Sequence, residues 1–377
     1  MSSSPSSTAV ASGALPPEAS RPDLTAHPAG VARARAGDFM LRWACRLSGL
    51  VIAAMLAALI LVLANSALPA IRKFGAGFIT SSEWRVNEIE RPLRGPDGKV
   101  VMGEDGVVME ILPPAFGALP VIYGTAATSL IALVVAVPLS LGAALFLVRV
   151  APRLRIAGPV SFLVEFLAAI PSLAFGVWGL FVLAPMFQNS VAPLLRRILE
   201  PVPGLHWLFF EKITVAGRII ERPIPLNGRD LLTGSLILAV MILPIITSVS
   251  RDVLRSVPRI QIEGTLALGA TWWQSCVAML RYARSGLLGA VLLGLARAAG
   301  ETMAVTMVIG NNNQISASPF APAQTMASLL ANEFGEATDG MHRAALLYVA
   351  LILLVMSLAF NVVARKLVVG RPSHAVH

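Results

Sequence analysis

The sequence has few charged residues, few cysteines and few histidines for its length. Only 14% of the 377 residues are charged, whereas soluble domains carry about 25%. Two cysteines, Cys45 and Cys276, exclude a disulfide framework and a cysteine-rich metal site, and we expect both to be packing residues on the cytoplasmic side. The five histidines form no ligand cluster, and no Gly-x-x-x-x-Gly-Lys-Ser/Thr motif is present to bind a nucleotide.

Apolar residues make up 56% of the chain, and the mean hydropathy is +0.73. Because about 20 apolar residues cross a bilayer as a helix, the pattern predicts an all-α membrane protein with six spans. These spans are predicted at about 47–68, 121–148, 160–186, 231–249, 286–310 and 344–363.

Three segments outside the spans differ in composition. Residues 1–40 are rich in Ser, Ala and Pro and predict a disordered tail. Since the first apolar run begins near Leu47, we expect a retained span rather than a cleaved signal. Short alternating runs between glycine-rich turns predict a hairpin-bearing insertion at 85–115. Residues 188–230 read as a longer polar loop, partly at the membrane surface.

The distribution of Lys and Arg predicts the orientation. The tail, the 149–159 loop, the 251–285 loop and the C-terminus together hold sixteen basic and five acidic residues, whereas the loops on the other side hold thirteen basic and fourteen acidic residues. The first set is therefore predicted to be cytoplasmic, with both termini inside. The net charge of +9 is explained by topology, and nothing resembles a nucleic-acid module.

The predicted fifth span carries Arg297 and Glu301 in its apolar stretch. An ionised side chain in mid-membrane costs about 2.5–3.5 kcal/mol on the mildest scale, so such residues normally face a bundle interior or a polar cavity. In a continuous helix, positions four apart lie on one face and can pair. Small residues at Ala290, Gly294 and Ala298 would allow close helix packing.

The 251–285 loop is long and partly amphipathic. Pro258 and Gly269 predict a division into short helices, basic at the ends and apolar on one side. Such a helix fits a groove on a partner protein, although a helix lying on the lipid surface has the same pattern.

Several stretches resemble a known family. Glu263, Gly264, Thr265 and Gly269 are similar to the Glu-Ala-Ala-x-x-x-Gly loop of ABC importer permeases. The chain from about 40 to 370 more specifically resembles the C-type permease subunit of phosphate-specific ABC importers. The stretches that carry this resemblance are 116–125, 166–179, 242–246, 296–305, 314–318 and 331–337.

The resemblance implies the type I ABC importer permease fold with a cytoplasmic coupling helix, in a bacterial inner membrane. It implies a heterodimer with a homologous second permease, two copies of an ATP-binding subunit and a periplasmic phosphate-binding protein. This chain would then be a transport subunit and not an enzyme. It would bind no cofactor, since ATP and magnesium would bind the partner ATPase.

The sequence departs from the family pattern in three places. Gly264 and Thr265 replace the two alanines of the motif, and because glycine weakens a helix by about 1 kcal/mol, docking would depend more on Trp272 and Trp273. Arg281 follows Leu280 where the family usually has proline. The 85–115 insertion has two interpretations, a contact to the binding protein or a peripheral addition.

The candidate residues keep alternative explanations. Arg297 and Glu301 fit a translocation path, in which the glutamate partly offsets the arginine charge that would otherwise hold phosphate too tightly. They also fit a static buried pair. Glu165 fits an interfacial carboxylate, a partner of Arg153 or Arg155, or a contact to the 251–285 loop, which we call the coupling segment. The 311–314 stretch fits a helix-ending turn or a point of phosphate entry.

Other functions are less well supported by the sequence. A permease for another oxyanion or small solute would look similar outside the quoted stretches. A channel or secondary transporter would not need the amphipathic loop. An intramembrane enzyme needs a nucleophile–base pair or clustered carboxylates or histidines at depth, and the deep ionisable residues are only Arg297 and Glu301.

Overall fold

The computed structural model describes residues 28–92, 101–103, 106–215 and 218–369. The chain divides into two compact units, residues 1–60 and residues 61–377. The first unit contains the exposed N-terminal part of the first helix. There the rings of Phe39 and Trp43 pack edge to face, with their centroids 6.1 Å apart. The second unit contains the remaining elements.

Helices make up most of the described residues, which confirms the predicted all-α class. The longer helices are α1 Pro28–Phe74, α3 Leu119–Leu145, α4 Ala157–Ala169, α8 Leu231–Arg255, α10 Trp272–Tyr282, α11 Arg284–Ala299 and α14 Gly340–Val369. The shorter ones are α2 Gly77–Thr80, α5 Ser172–Trp178, α6 Ala184–Met186, α7 Ala192–Leu199, α9 Arg259–Ala267, α12 Met303–Val308 and α13 Met326–Glu333.

Several of these helices contain π-helical turns. One turn, Phe146–Val150, extends α3, and two others, Gly179–Leu183 and Phe187–Val191, join α5, α6 and α7 into one continuous helical stretch. A 3₁₀ turn is present at His206–Leu208.

Three two-stranded antiparallel sheets lie between the helices. Strands β1 Ile89–Pro92 and β4 Met109–Leu112 pair with Ile89 opposite Leu112, and they enclose β2 Met102–Gly103 paired with β3 Gly106–Val107. These four strands lie in the predicted 85–115 insertion. The third pair, β5 Phe210–Val215 with β6 Arg218–Pro223, is a hairpin in the 188–230 segment that was expected to be a loop.

The core of the second unit forms where α8 packs against α3 and α11. Buried small residues on α3 and α11 face large aliphatic residues on α8, and this contact brings the three helix axes close together. The main members are Ala132, Ala136, Leu238, Ile242, Ile246, Ala290 and Ala298.

Among the described residues, five helices are long and apolar enough to cross a membrane. They are Asp38–Phe74, Leu119–Val150, Ser172–Leu199, Leu231–Arg255 and Gly340–Val363. The number reaches the predicted six if α10 and α11, which meet at a bend of 70°, count as one span.

The helices of the structure differ in extent from three predicted segments. The chain bends at Pro171, which divides the predicted 160–186 span into the separate helix α4 and a later span, Ser172–Leu199, because proline disfavours helix in the residue before it. The predicted 286–310 helix is interrupted between α11 and α12. Helix α1 begins at Pro28, inside the predicted tail, whereas residues 1–27 lie outside the described residues.

Candidate functional site

Helix α11 presents two different faces. Ala290, Gly294 and Ala298 are buried, and a β-carbon added at Gly294 would lie 2.6 Å from the Cδ1 atom of Ile246 on α8. This close contact fits the predicted role of the small residues in packing. The neighbouring face exposes Leu293 and Arg297. The packing therefore directs Arg297 away from the core of this chain.

Three residues separate the end of α11 from the start of α12. Gly300 follows the last residue of α11, and Glu301 and Thr302 are not helical before α12 starts at Met303. Glycine favours such an end because it gains little from helical backbone. Glu301 is thus not one helical turn from Arg297, as the continuous helix required.

Arg297 and Glu301 do not form the predicted ion pair. Within the described residues, neither side chain has an ion-pair partner within 4.0 Å or a hydrogen bond. Arg297 is exposed, and Glu301 is half-buried. The expectation of a static bridge inside this chain is therefore wrong, because the break at Gly300 removes the geometry on which it depended.

Helix α12 packs closely against α5. A β-carbon at Gly176 would lie 2.9 Å from the Cα atom of Ala304, and one at Gly179 would overlap Ile237. Only glycine fits at Gly176 without a shift of the backbone, whereas a β-carbon at Gly179 would require the Ile237 side chain of α8 to move. This contact brings together, beside the break at Gly300, two stretches that carry the family resemblance, 166–179 and 296–305.

The 251–285 segment forms two short helices joined by a turn. Pro258 precedes α9, and Gly269 has φ +83°, which ends α9 in the left-handed region that favours glycine. Thr271 then begins α10 with a capping box, in which its hydroxyl accepts from Gln274 N and its own N–H donates to the Gln274 side chain. Helix α9 therefore begins after Pro258 and ends before Gly269, at the two positions where the sequence predicts a break.

The outer face of this segment is apolar and exposed. Leu268 is 90% exposed and Trp273 62%. Trp272 is also exposed, as is Glu263, which has no ion-pair partner within the described part of the chain. A groove of about 630 Å³ runs between α9 and α10 and contains Thr265 and Trp273. Exposed aromatic residues beside a groove are typical of an interaction surface.

Two side-chain contacts lie where this segment meets the bundle. Arg149, at the end of the α3 span, donates from Nη2 to Ser275 Oγ on α10 at 2.9 Å. Arg251, near the end of α8, donates from Nη1 to Glu165 Oε1 on α4 at 3.1 Å. Glu165 therefore pairs with Arg251 rather than with Arg153 or Arg155. Sequence reasoning assigned no role to Arg149 or Arg251, since both looked like ordinary positive charges at span ends.

Asp230 is fully buried at the N-terminus of α8. Its Oδ1 accepts from Thr233 N at 2.7 Å, whereas Oδ2 has no hydrogen-bond partner among the described residues. Burial raises the pKa of this carboxyl from 3.8 to about 6, against the opposing effect of the Thr233 hydrogen bond. An Asp immediately before an apolar run is a helix-start signal that could have identified it.

The 311–318 segment lines a cavity on the side opposite the coupling segment. Gly310 has φ +92° and Asn311 φ +50°, so the chain turns sharply after α12, as expected of a helix-ending turn. Residues 313–318 then form one wall of a cavity of about 850 Å³, with the β5–β6 hairpin and its preceding turn forming another. Tyr123 donates to Ser316 O at 2.8 Å and fixes this wall to α3.

Within the described ranges, no group of three or more His, Cys, Asp or Glu side chains could hold a metal ion. The ionisable residues near the break and the coupling segment are instead separate side chains on different elements.

Comparisons with known proteins match nearly the whole chain. The sequence model of the family described as "Binding-protein-dependent transport system inner membrane component" matches residues 136–369. The "Phosphate transport system permease protein PstC" of Mesorhizobium japonicum is 38% identical over 353 residues, which cover 93% of this chain and 94% of the relative.

Proteins from two other bacteria are similar over somewhat less of the chain. The protein of the same name from Haemophilus influenzae is 37% identical over 85% of this chain and 90% of its own length. "Phosphate transport system permease protein PstC 1" of Mycobacterium tuberculosis is 39% identical over 80% of this chain and 84% of its own length. A chain from inward-facing crystals of the MetNI methionine ABC transporter aligns with 66% of this chain and 94% of its own length, at 16% identity and a TM-score of 0.42.

Proposed function

Because this chain belongs to the family of binding-protein-dependent transport system inner membrane components, we propose that it is the permease subunit of an ATP-driven phosphate importer. The observation that supports phosphate as the substrate is the 38% identity to a phosphate transport permease over 93% of the chain. It is a transport subunit, and ATP hydrolysis belongs to separate subunits. The broken helix and the exposed helical segment are compatible with this role.

The partners follow from the same family. A homologous second permease completes the membrane part as a heterodimer, two copies of an ATPase bind from the cytoplasm, and a periplasmic protein delivers phosphate. Both termini lie in the cytoplasm of a bacterium whose inner membrane holds the complex. The excess of Lys and Arg in the loops assigned to that side supports this orientation. This chain binds no cofactor, and the nucleotide and magnesium belong to the ATPase.

Arg297 and Glu301 lie on the phosphate path between the two permeases. Arg297 is thirteen residues from the start of α11 at Arg284, about 20 Å along a helix, so its charge would be deep in the membrane. It is exposed on this chain. Since an arginine in lipid is costly, the exposed face of α11 turns toward the second permease and a hydrated cavity.

An arginine without an intramolecular partner can attract an anion. Transport requires the release of phosphate as well as its attraction. Glu301, which lies beyond the break at Gly300, therefore alternates with phosphate as the partner of Arg297 during the cycle. The interruption at Gly300 gives this part of the span a place to bend as the pair of permeases alternates between its two openings.

The ATPase docks on the coupling segment. Glu263, Gly264, Thr265 and Gly269 belong to α9 and its terminal turn, and Trp272 and Trp273 begin α10. All of these residues except the half-buried Thr265 are exposed, and this exposure and the groove beside them support the placement. Gly269 orients the two helices, and the tryptophans provide the apolar contact area.

Uptake by the reconstituted complex tests this function. Proteoliposomes containing both permeases and the ATPase, with binding protein outside and ATP inside, should accumulate labelled phosphate and should not accumulate sulfate. Omission of ATP or of the binding protein should abolish accumulation. ATP-dependent uptake of sulfate but not of phosphate would favour the alternative of another oxyanion, and uptake without the ATPase would favour a channel or secondary transporter.

A further inference from the structure

A second cleft lies behind the coupling segment. It has a volume of about 370 Å³ and is formed by the end of the α3 span, the end of α8, helix α9 and one residue of α10. Arg149, Arg255 and Arg259 line it, together with Glu263. The rest of its lining is apolar and comprises Val148, Leu254, Val257, Ile262, Leu266 and Met279. The lining thus combines three arginines and one glutamate with apolar side chains, which we call the apolar floor.

None of the three arginines forms an ion pair within the described residues, and Glu263 provides one negative charge against their three positive charges. Arg255 and Arg259 have neither an ion pair nor a side-chain hydrogen bond there. Arg149 donates from Nη2 to Ser275, but its Nε is buried without an acceptor. A buried donor left without a partner costs free energy. An anion in the cleft would offer acceptors to the exposed guanidinium groups of Arg255 and Arg259.

The position of the cleft matches the boundary of the hydrocarbon layer. Arg149 is the second-to-last residue of the span Leu119–Val150, and Arg255 is the last of the span Leu231–Arg255. Arg259 is the first residue of α9, and the free N–H groups of a helix N-terminus also favour an anion. Basic pockets at the ends of membrane helices suit lipid head groups.

We propose that this cleft binds a phosphate group, held by the guanidinium groups of Arg255 and Arg259 above the apolar floor. Guanidinium groups match phosphate oxygens with paired hydrogen bonds. Two sources present this chemistry, the head group of an anionic phospholipid and free phosphate. The apolar floor favours the lipid, whose acyl chains it would contact. A bound head group would also hold α9 against the ends of α3 and α8.

Lipid binding by the purified full-length chain tests the site. Native mass spectrometry, with phosphatidylglycerol or phosphatidylcholine added in titration, should give a tightly bound phosphatidylglycerol. The double variant R255Q/R259Q should weaken this binding about thirtyfold, at about 1 kcal/mol for each arginine, and leave phosphatidylcholine unchanged. Arg281→Gln is the matched control, because Arg281 is an exposed arginine of α10 that lines the other groove, and it should bind as the wild type does.

Further measurements distinguish the lipid from free phosphate as the ligand, and loss of the site from misfolding of the variant. Inorganic phosphate in millimolar excess should displace phosphatidylglycerol if free phosphate uses the site and should have no effect if the lipid alone does. R255K/R259K keeps the charge and should retain most of the binding, which separates loss of the site from misfolding. Equal binding by R255Q/R259Q and the wild type, or equal loss in the Arg281 control, would overturn the proposal. So would complete displacement of the lipid by the ATPase, since the cleft would then belong to that interface.

Discussion

Arg149 and Ser275 are 126 positions apart in the chain and are joined by a hydrogen bond of 2.9 Å. The bond connects the end of one membrane span to α10, which follows the proposed docking helix. Ser275 is 1% exposed and also donates to Trp272 O at 2.8 Å. A movement imposed on α9 and α10 would therefore reach the α3 span through this contact.

Ser275→Ala should uncouple ATP hydrolysis from transport. The change removes the acceptor for Arg149 Nη2, and leaving such a donor unsatisfied costs about 1–3 kcal/mol. We expect less phosphate imported per ATP hydrolysed in proteoliposomes, with hydrolysis itself preserved. Ser256→Ala is the control, because Ser256 is exposed and its hydroxyl, within the described residues, bonds only to Val253 O at the end of α8. An unchanged ratio in Ser275→Ala would remove this contact from the coupling route.

Gly264→Ala and Gly269→Ala should have opposite effects on stability. No atom lies within 4 Å of a β-carbon added at Gly264, so alanine there should stabilise α9 by up to about 1 kcal/mol. Gly269 is equally open, but its φ of +83° makes alanine unfavourable by about 1–2 kcal/mol. Thermal unfolding of the purified chain should shift upward for the first and downward for the second. Equal shifts would show that the turn does not depend on its left-handed backbone.

Asp230→Asn should stabilise the protein above about pH 6 and have less effect in acid. Because the folded pKa is about 6 and the ordinary value 3.8, the unfolded chain ionises first as the pH rises. Burial of the charge therefore costs stability between these values, reaching up to about 3 kcal/mol above the folded pKa. Asparagine keeps an acceptor for Thr233 N without the charge.

The measurement is the melting temperature of both proteins across this pH range. Glu336→Gln is the control, because Glu336 is exposed and has no side-chain hydrogen bond within the described residues. A difference between Asp230→Asn and the wild type that stays constant from about pH 4 to about pH 7 would contradict a raised pKa at this site.

A cysteine at Glu263 should crosslink to the ATPase during turnover. Cys45 is exposed and must first be replaced by serine, whereas Cys276 is 1% exposed and should not react. A cysteine at Ile111, exposed in the β1–β4 pair and predicted to be on the other side of the membrane, is the control. Equal labelling of both positions, or no crosslink at Glu263, would contradict docking at α9.

Much of the architecture could be predicted because it is encoded locally. Apolar runs predicted most spans, and Pro258 and Gly269 predicted the division of the coupling segment, since proline and glycine act on their own backbone. The break at Gly300 could not be predicted from the apolar pattern, which continues through it. Whether glycine ends a helix depends on tertiary contacts such as those of Gly176 with α12.

The pairings between distant charges were harder to predict than the helices. Glu165 had three possible partners in sequence, and its contact to Arg251 follows from the packing of α4 beside α8. Likewise, the predicted pair of Arg297 and Glu301 assumed helical spacing across a stretch that is not helical. Ion pairs depend on the final positions of side chains, and sequence separation fixes those positions only where the helix is continuous.

Arg297→Gln should abolish phosphate uptake without weakening the complex. A structural ion pair would predict loss of stability on removal of either partner, but Arg297 has no such partner within the described residues, so stability should be unchanged. The measurement combines uptake by membrane vesicles with recovery of the complete complex in detergent. Arg284→Gln, at the first position of the same helix and also exposed, should transport normally. Normal uptake by Arg297→Gln would exclude a role in translocation, whereas loss of assembly would identify Arg297 as a contact to the second permease.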